Sequence, residues 1–410
     1  MDFQNSRQLL SNLAKNIQPH LFGAHRWKFI IDLIEDQTDE TKLALKTHLD
    51  IFLMKMEKTD ASDVDLGGPG CKSKVWFRRH GNKAPDPELG EYTVDETDIL
   101  ILNILTDSER DKLYQDYSLD LSYRVFDSDE NAWARFRASI YFDLTHLAVN
   151  MRRINNQIIP FPQLAFNEDV AKILSLKYQK SGLVLVTGIT GSGKSTTLDS
   201  IIDANNRTME SHIVIIADPI EYVHEPIKSI VKHREVGRDV HSFKEGTVQA
   251  LRQDPDIIMI GEMRDAETIM TVLEVVDSGH KVFSTLHTSS AVESIDRILG
   301  EIPPHEQNRI LNRLADVLVC VISQKLIPSV DGKRVLAKEI MLTNSAIKTA
   351  IRNNNTGEIY QIIHQSNDQG MNTMEQNLAK LYSENTISYF EAYINANNKK
   401  RLEGLIKYSN

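Results

Sequence analysis

The feature that most constrains the fold of this chain is a glycine-rich segment, 188–195, which reads G-I-T-G-S-G-K-S. An apolar run (183–186) precedes it, and a stretch with helical spacing (196–205) follows it. A strand, a loop of this pattern and a helix, in that order, bind phosphate through backbone N–H groups and the N-terminus of the helix. The segment therefore predicts an α/β domain that binds a nucleoside triphosphate.

Each fixed position of this pattern has a physical role. The glycines let the backbone bend so that its N–H groups point at phosphate oxygens. Lys194 is expected to reach the β- and γ-phosphates, and the Ser195 hydroxyl is expected to bind Mg²⁺. The predicted nucleotide-binding residues are Gly188, Thr190, Gly191, Ser192, Gly193, Lys194, Ser195 and Thr196.

Three further apolar runs alternate with amphipathic stretches after the loop, which predicts a mainly parallel sheet covered by helices. They span 213–216, 257–260 and 281–283. Ligands bind at the carboxyl ends of parallel strands. The side chains that follow these ends are therefore expected to meet one Mg-nucleotide. They are Asp218, Glu221, Glu262 and His287, with Glu221 and Glu262 joining Ser195 as metal ligands.

Each of these side chains also has a plainer interpretation. Asp218 is a possible helix cap, Glu221 and Glu262 possible solvated charges, and His287 a possible structural hydrogen-bonding group at a strand end.

The region before the loop has a different pattern, which predicts an α+β module. Helical spacing runs to about residue 58, the glycine cluster 67–70 ends any regular element, and 81–90 is rich in turn residues. A helix is predicted at 95–105, and strands at 74–78, 119–125 and 134–141. A polar stretch with two prolines (155–163) suits a linker, and the chain from about Thr343 is predicted to be helical.

Composition narrows the possible functions. The net charge of −10 argues against a protein that coats nucleic acid or an anionic membrane. Cys71 and Cys320 are too few for a disulfide framework or a four-thiolate zinc site. The pattern shows no signal peptide and no spanning helix. We therefore expect a cytoplasmic protein with no nucleic-acid partner, which contacts a membrane only through partners.

Four ordered segments together resemble the secretion ATPase superfamily of type IV pilus and type II secretion motors, most closely its pilus retraction (PilT-like) branch. They are the phosphate loop, A-D-P-I-E (217–221), D-P-D-I-I-M-I-G-E-M-R-D (254–265) and G-H-K-V-F-S-T-L-H-T (279–288). A-S-D-V-D-L (61–66), R-F-R (135–137) and V-I-S-Q-K-L (321–326) also match. The resemblance covers about residues 45–390.

The resemblance implies an α/β fold: a RecA-like P-loop ATPase domain with an N-terminal α+β (PAS-like) domain. The domains would be a helical extension (1–45), the PAS-like domain (46–154), the linker (155–163), the ATPase core (164–345) and a C-terminal helical region (346–410).

The resemblance also implies a homohexamer that uses ATP and Mg²⁺ and works with an inner-membrane pilus or secretion platform protein at the inner face of the cytoplasmic membrane. Glu262 would activate water, Asp218 and Glu221 would support metal and water, and His287 would sense the γ-phosphate. Arg135, Arg137 and Arg152 would act on the site of a neighbouring subunit, and the plainer interpretation of each is a surface ion pair.

Two features favour retraction over extension. Extension and type II secretion ATPases often carry a paired C-x-x-C zinc element, which two isolated cysteines cannot form. A-I-K-T-A-I-R (346–352) partly matches A-I-R-N-L-I-R of the retraction branch, and it also suits an amphipathic helix with Ile347 and Ile351 inward.

Ala217 stands where the family usually has the first Glu of E-D-P-I-E, which places catalytic rate in question. Ala217 keeps open one alternative to a retraction motor, a catalytically weak regulatory ring subunit. A secretion-system or extension ATPase is a second alternative. A nucleic-acid motor is a third, although the acidic charge and segments 217–221 and 279–288 count against it.

Overall fold

The computed structural model describes residues 3–79, 82–127, 132–154 and 158–409. The chain divides into two compact units, Met1–Asn156 and Gln157–Asn410.

The first unit combines five helices with one antiparallel sheet of six strands, in the order β3-β2-β1-β6-β5-β4. Its helices are α1 (Phe3–Ala14), α2 (Gly23–Glu35), α3 (Asp39–Lys58), α4 (Val94–Asn103) and α5 (Asp107–Asp116). Its strands are β1 (Asp63–Gly67), β2 (Trp76–Arg79), β3 (Asn82–Pro85), β4 (Ser118–Asp127), β5 (Ala132–Asp143) and β6 (His146–Ile154).

Local capping fixes where two of these helices begin. Thr93 and Glu96 form a capping box at the start of α4, and Thr106 and Glu109 form a second one at α5. In each box the threonine hydroxyl accepts from a backbone N–H of the first turn, and the glutamate accepts from the N–H of the threonine.

The N-terminal helices share the core of the sheet. Leu10, Ile30 and Ile34 are buried in the same apolar cluster as Phe52 of α3 and Phe136 of β5. The predicted 1–45 extension is thus packed against the predicted 46–154 region rather than projecting from it.

The turn-rich prediction for 81–90 was wrong for residues 82–85, which form β3 and pair with β2. All four β3 residues are exposed, so no alternation of apolar and polar residues marks this edge strand. Gly81 of that prediction and residues 155–157 of the predicted linker lie outside the described residues. Phe161–Leu164, at the end of the linker, forms one 3₁₀ turn.

The second unit contains a seven-stranded sheet with the order β13-β12-β7-β11-β10-β8-β9. Its strands are β7 (Gly182–Thr187), β8 (His212–Ala217), β9 (Ile230–Glu235), β10 (Ile257–Ile260), β11 (Lys281–Leu286), β12 (Leu318–Pro328) and β13 (Arg334–Leu342). Its helices are α6 (Glu168–Leu174), α7 (Lys194–Thr208), α8 (Phe243–Ala250), α9 (Ala266–Asp277), α10 (Ala291–Glu301), α11 (Gln307–Val317), α12 (Ser345–Arg352), α13 (Thr356–Gln365), α14 (Met374–Ser383), α15 (Tyr389–Asn395) and α16 (Lys399–Ser409).

The four apolar runs of the sequence form the centre of this sheet. They are β7, β11, β10 and β8, which lie side by side and parallel. Every residue of β7, β10 and β11 is buried, as expected for parallel strands covered by helices on both faces. Only the β12–β13 pair of this sheet is antiparallel. The carboxyl ends of the central strands thus lie together at one edge.

Among the described residues, no helix has both the length and the apolar composition needed to cross a bilayer.

Candidate nucleotide-binding and catalytic site

The phosphate loop connects β7 to α7 at the carboxyl edge of the sheet. Gly188, Gly191 and Gly193 have φ values of +152°, +81° and +89°, which side chains of L-residues rarely allow. A Cβ atom added at Gly188 would lie 2.4 Å from Ser192 Oγ and 2.5 Å from the carbonyl oxygen of Gln324. The loop therefore requires glycine at position 188 for both conformation and space.

Lys194 is the first residue of α7, and its ammonium group crosses the loop. Its Nζ donates to the carbonyl oxygens of Gly188 (2.7 Å) and Ile189 (3.2 Å). Burial lowers the pKa of Lys194, and the negative charges of Glu262 and Glu221 act in the opposite direction. Glu221 and Glu262, two of the three predicted carboxylates, thus act electrostatically on the lysine of the phosphate loop.

Glu262 lies two residues beyond the end of β10, and it is 9% exposed. Its Oε1 is 2.7 Å from Arg264 Nε, and its Oε2 is 3.7 Å from His287 Nε2. His287 directly follows β11, the strand beside β10. The fold thus brings together Glu262 and His287, which the sequence placed at separate strand ends, and adds Arg264 beside Glu262.

The pKa of His287 depends on the same neighbouring side chains. Burial lowers its pKa most, and the charges of Lys194 and Arg264 lower it further. Glu262 opposes these effects through its charge and a hydrogen bond. Lys194, Glu262 and His287 therefore form one interacting group.

Asp218 and Glu221 follow β8 in a segment that has no helix or strand. Both side chains are exposed. The N–H of Ile220, between them, donates to the buried carboxylate of Glu235 (Oε2, 3.1 Å). This segment lies at the same edge of the sheet as the phosphate loop.

The other predicted loop residues differ in burial. Ser195 is half-buried in the first turn of α7, and Thr190, Gly191 and Thr196 are exposed. Ser192 is 2% exposed, and its Oγ has no hydrogen-bond partner among the described residues. The N–H groups of the first turn of α7 have no carbonyl within the helix to accept from them. This set of donors, together with Lys194, suits a phosphate group.

The predicted arginines belong to the first unit and share one face of its sheet. Arg135 and Arg137 are two residues apart on β5, and Arg137 pairs with Arg152 of β6. Arg152 Nε lies 2.8 Å from Asp63 Oδ1, and Arg137 Nη2 lies 3.7 Å from Asp120 Oδ2. Arg135 is 9% exposed.

Gln324 of β12 is a site residue that the sequence did not single out. It is 1% exposed. Its Nε2 donates to the carbonyl oxygen of Ser192 (2.9 Å), and its Oε1 accepts from Thr197 Oγ1 (3.0 Å). Gln324 thus joins the phosphate loop to α7. The available signal was the family-like segment V-I-S-Q-K-L (321–326), which contains Gln324 but does not indicate its role.

Residues 134–405 match the family described as Type II/IV secretion system protein. The chain belongs to this family. One relative is the type IV pilus retraction ATPase PilT of Pseudomonas aeruginosa, which is 39% identical over 70% of this chain and 82% of that protein. Another is the twitching motility protein of Neisseria gonorrhoeae, 36% identical over 77% of this chain and 82% of that protein.

A solved structure of the pilus retraction motor PilT with bound ADP superposes with a TM-score of 0.77 and 35% identity, and covers 86% of this chain and 98% of that one. The predicted resemblance to pilus retraction ATPases, the α/β fold with a RecA-like P-loop domain and an N-terminal domain, and the ATPase class are therefore confirmed.

Proposed function

We propose that this chain is an ATP-hydrolysing motor that powers the retraction of type IV pili as a ring of six copies. The observation that carries this is the convergence of Lys194, Glu262 and His287 beside the phosphate loop. The similarity to a pilus retraction ATPase over most of both chains supports the biological role. The motor works at the cytoplasmic face of the membrane and takes its contact there from a platform protein.

The substrate is ATP, with the loop residues 188–196 holding its phosphates. A magnesium ion, when bound, would neutralise charge on the β- and γ-phosphates. Ser195, Glu221 and Glu262 are the oxygen ligands that the chain offers, which is the chemistry Mg²⁺ prefers. The described residues contain no group of three or more His, Cys, Asp or Glu side chains arranged to hold a metal by themselves. This fits an ion that takes further ligands from the phosphates of its substrate.

Glu262 acts as the general base. It orients the attacking water and accepts its proton, while Arg264 at 2.7 Å holds one of its carboxylate oxygens in place. His287 lies 3.7 Å from the other oxygen, so its ring is placed to contact the γ-phosphate and the base together. Lys194 stabilises the charge that develops on the transferred phosphoryl group. Asp218 and Glu221 support water and metal from the neighbouring strand.

Arg135, Arg137 and Arg152 act on the site of the adjacent subunit. An arginine supplied by a neighbour stabilises the transition state and ties hydrolysis to movement between subunits. Such a contact is head-to-tail, and it closes into a ring when the rotation allows. Arg137 and Arg152 lie side by side at exposed positions of the sheet face that the three arginines share, whereas Arg135 is buried at 9% exposed.

Ala217 favours a second candidate, a nucleotide-binding ring subunit with weak turnover. It is the last residue of β8 and is 8% exposed. An alanine there can neither bind a metal nor orient water. The motor proposal requires that Asp218, Glu221 and Glu262 suffice without a carboxylate at position 217.

The test combines ATP turnover, oligomer size and subunit mixing. The wild type is expected to hydrolyse ATP as a hexamer, and Arg137→Ala and Glu262→Gln are each expected to be inactive alone. Mixed rings of the two variants recover activity, because some interfaces then combine an intact Arg137 with an intact Glu262. The control is Arg153→Ala, at the position next to Arg152 on β6. It breaks an exposed ion pair with Asp60 and is expected to stay active.

A wild-type ring that binds ATP without hydrolysing it would support the second candidate instead. Pilus retraction is tested by expressing the chain in a bacterium that lacks its own retraction ATPase. Twitching is expected to return with the wild type and not with Glu262→Gln.

A further inference from the structure

The segment between β8 and β9, residues 218–229, carries Asp218 and Glu221 without any helix or strand of its own. A backbone ladder therefore does not hold these carboxylates in place. Their position relative to the phosphate loop depends on side chains from other elements.

Two tethers hold the ends of this segment. At the start, Glu235 of β9 accepts from the N–H of Ile220 (3.1 Å). At the end, Asn206 of α7, which is fully buried, donates to the carbonyl oxygen of Glu225 (2.8 Å) and accepts from the N–H groups of Ile227 (3.0 Å) and Ser229 (3.4 Å).

The middle of the segment is held by His224, which is 2% exposed. Its Nε2 lies 3.1 Å from Asp199 Oδ1 of α7. The backbone N–H of His224 donates to His233 Nε2 (3.0 Å). The rings of His224 and His233 stack, with their centroids 6.0 Å apart. The Tyr222 ring meets the His224 ring edge-on at 4.7 Å. The Asp199 contact and the two neighbouring rings thus hold the imidazole against α7 and β9.

The His224–Asp199 pair connects the two halves of the site. Asp199 lies four residues after Ser195, so the two share one face of α7. His224 lies three residues after Glu221. The pair therefore joins the helix of the phosphate loop to the segment that carries the predicted metal-supporting carboxylate.

We infer that His224 is a positioning residue for ATP hydrolysis: its hydrogen bond to Asp199 fixes Glu221 relative to Ser195 and Lys194. The inference rests on the catalytic role proposed above for Glu221. Displacement of a reacting group by about 1 Å lowers a rate by roughly a hundredfold. His224 touches no reacting atom in this role and acts through Glu221.

The test uses the full chain with two substitutions of His224. Phenylalanine keeps a planar ring between Tyr222 and His233 and removes the bond to Asp199. We expect His224→Phe to lower kcat about ten- to a hundredfold and to change the KM for ATP and the Kd for ADP less than about threefold, since the phosphate loop is untouched. His224→Gln restores an N–H donor and is expected to recover most of kcat.

The control is Arg207→Ala, which breaks an ion pair on the same helix between the exposed Arg207 side chain and the mostly buried Asp203 (2.7 Å). Its kcat is expected to equal that of the wild type. Asp199→Ala and the double variant Asp199→Ala/His224→Phe complete a double-mutant cycle. The losses of kcat in the two single variants are expected not to add, because both variants remove the same hydrogen bond.

Hydrogen exchange of the backbone amides gives a readout that does not need hydrolysis. The amides of 220–229 are expected to exchange at least about tenfold faster in His224→Phe, while those of 188–196 keep the wild-type rate. If the wild type binds ADP without turnover, the proposed function fails, and the exchange rates alone decide the positioning role.

The inference is overturned if the amides of 220–229 in His224→Phe exchange at the wild-type rate. It is also overturned if the kcat of His224→Gln is no higher than that of His224→Phe. If His224→Phe does not fold, Asp199→Ala is judged by the same criteria.

Discussion

The phosphate loop and segment 218–229 cross the same edge of the same sheet, yet they are held in place by different means. The loop takes its shape from its own backbone, with positive φ at its glycines and no room for a Cβ at Gly188. The segment contains no glycine and no residue with positive φ. Glu235, Asn206 and His224 connect it to β9 and α7. One half of the site is thus encoded locally, and the other depends on distant side chains.

The largest effect is expected at the loop itself. Gly188→Ala places a methyl group 2.4 Å from Ser192 Oγ and 2.5 Å from the Gln324 carbonyl oxygen, so the loop must shift. We expect ADP affinity to fall at least about a hundredfold, as for a displacement of about 1 Å. Titration calorimetry measures this. Gly300→Ala on α10, where a Cβ meets nothing within 4 Å, is the control. Unchanged affinity in Gly188→Ala would remove the claim that the glycine backbone sets the shape of the loop.

Gln324→Leu tests how far the loop also depends on a distant side chain. The substitution leaves Ser192 O and Thr197 Oγ1 without their partner, and each buried unpaired group costs about 1–3 kcal/mol. We expect the free energy of unfolding to fall by about 3 kcal/mol and ADP affinity to fall about tenfold. Denaturant unfolding and calorimetry measure the two quantities. Gln8→Leu, at an exposed position of α1, is the control, and equal stability of the two variants would contradict the role of Gln324.

Asn206→Leu probes the segment in the same way. It removes the bonds to Glu225, Ile227 and Ser229, so the free energy of unfolding is expected to fall by about 2 kcal/mol. Because the loop keeps its shape, ADP affinity should stay within about threefold while kcat falls about three- to tenfold. Asn312→Leu on α11, an exposed position, serves as the comparison. A parallel loss of ADP affinity in Asn206→Leu would show that loop and segment are not separable.

The smallest effect concerns His287, which lies beside both regions. Burial and Lys194 hold its pKa below the ordinary 6.5, and Glu262 opposes them. The neutral form of the ring therefore predominates at neutral pH and remains predominant at pH 6.5. Glu262→Gln removes the opposing charge and is expected to lower the pKa further. Titration of the histidine ring protons by NMR follows both values, and a pKa that rises in Glu262→Gln would contradict the contact between these side chains.

The local half of the site is also the half that the sequence predicts well. The strand, the glycine spacing and the helix of 182–208 are adjacent in the chain, so local pattern is sufficient there. The order of strand ends was enough to place Glu262 and His287 together, because parallel strands present their carboxyl ends at one edge.

The contacts between residues distant in the sequence escaped prediction for a physical reason. Gln324 binds Ser192 across 132 residues, and His224 binds Asp199 across 25. Neither residue has a periodicity or a motif that names its partner. In the first unit, β3 was missed because an exposed edge strand buries no face and so shows no alternation.

The central claim is that the cluster around Glu262 is the catalytic centre. The most direct test measures ATP turnover and ADP binding by Glu262→Gln, the wild type and Glu267→Gln. Glu267 is an exposed carboxylate in the first turn of α9, paired with Lys244 at 3.0 Å, and its variant is the control. We predict that Glu262→Gln loses at least about a hundredfold in kcat, as expected when a general base is removed, and keeps the Kd for ADP within about threefold. Turnover in Glu262→Gln that remains within about threefold of the wild type would contradict the assignment of this cluster as the catalytic centre.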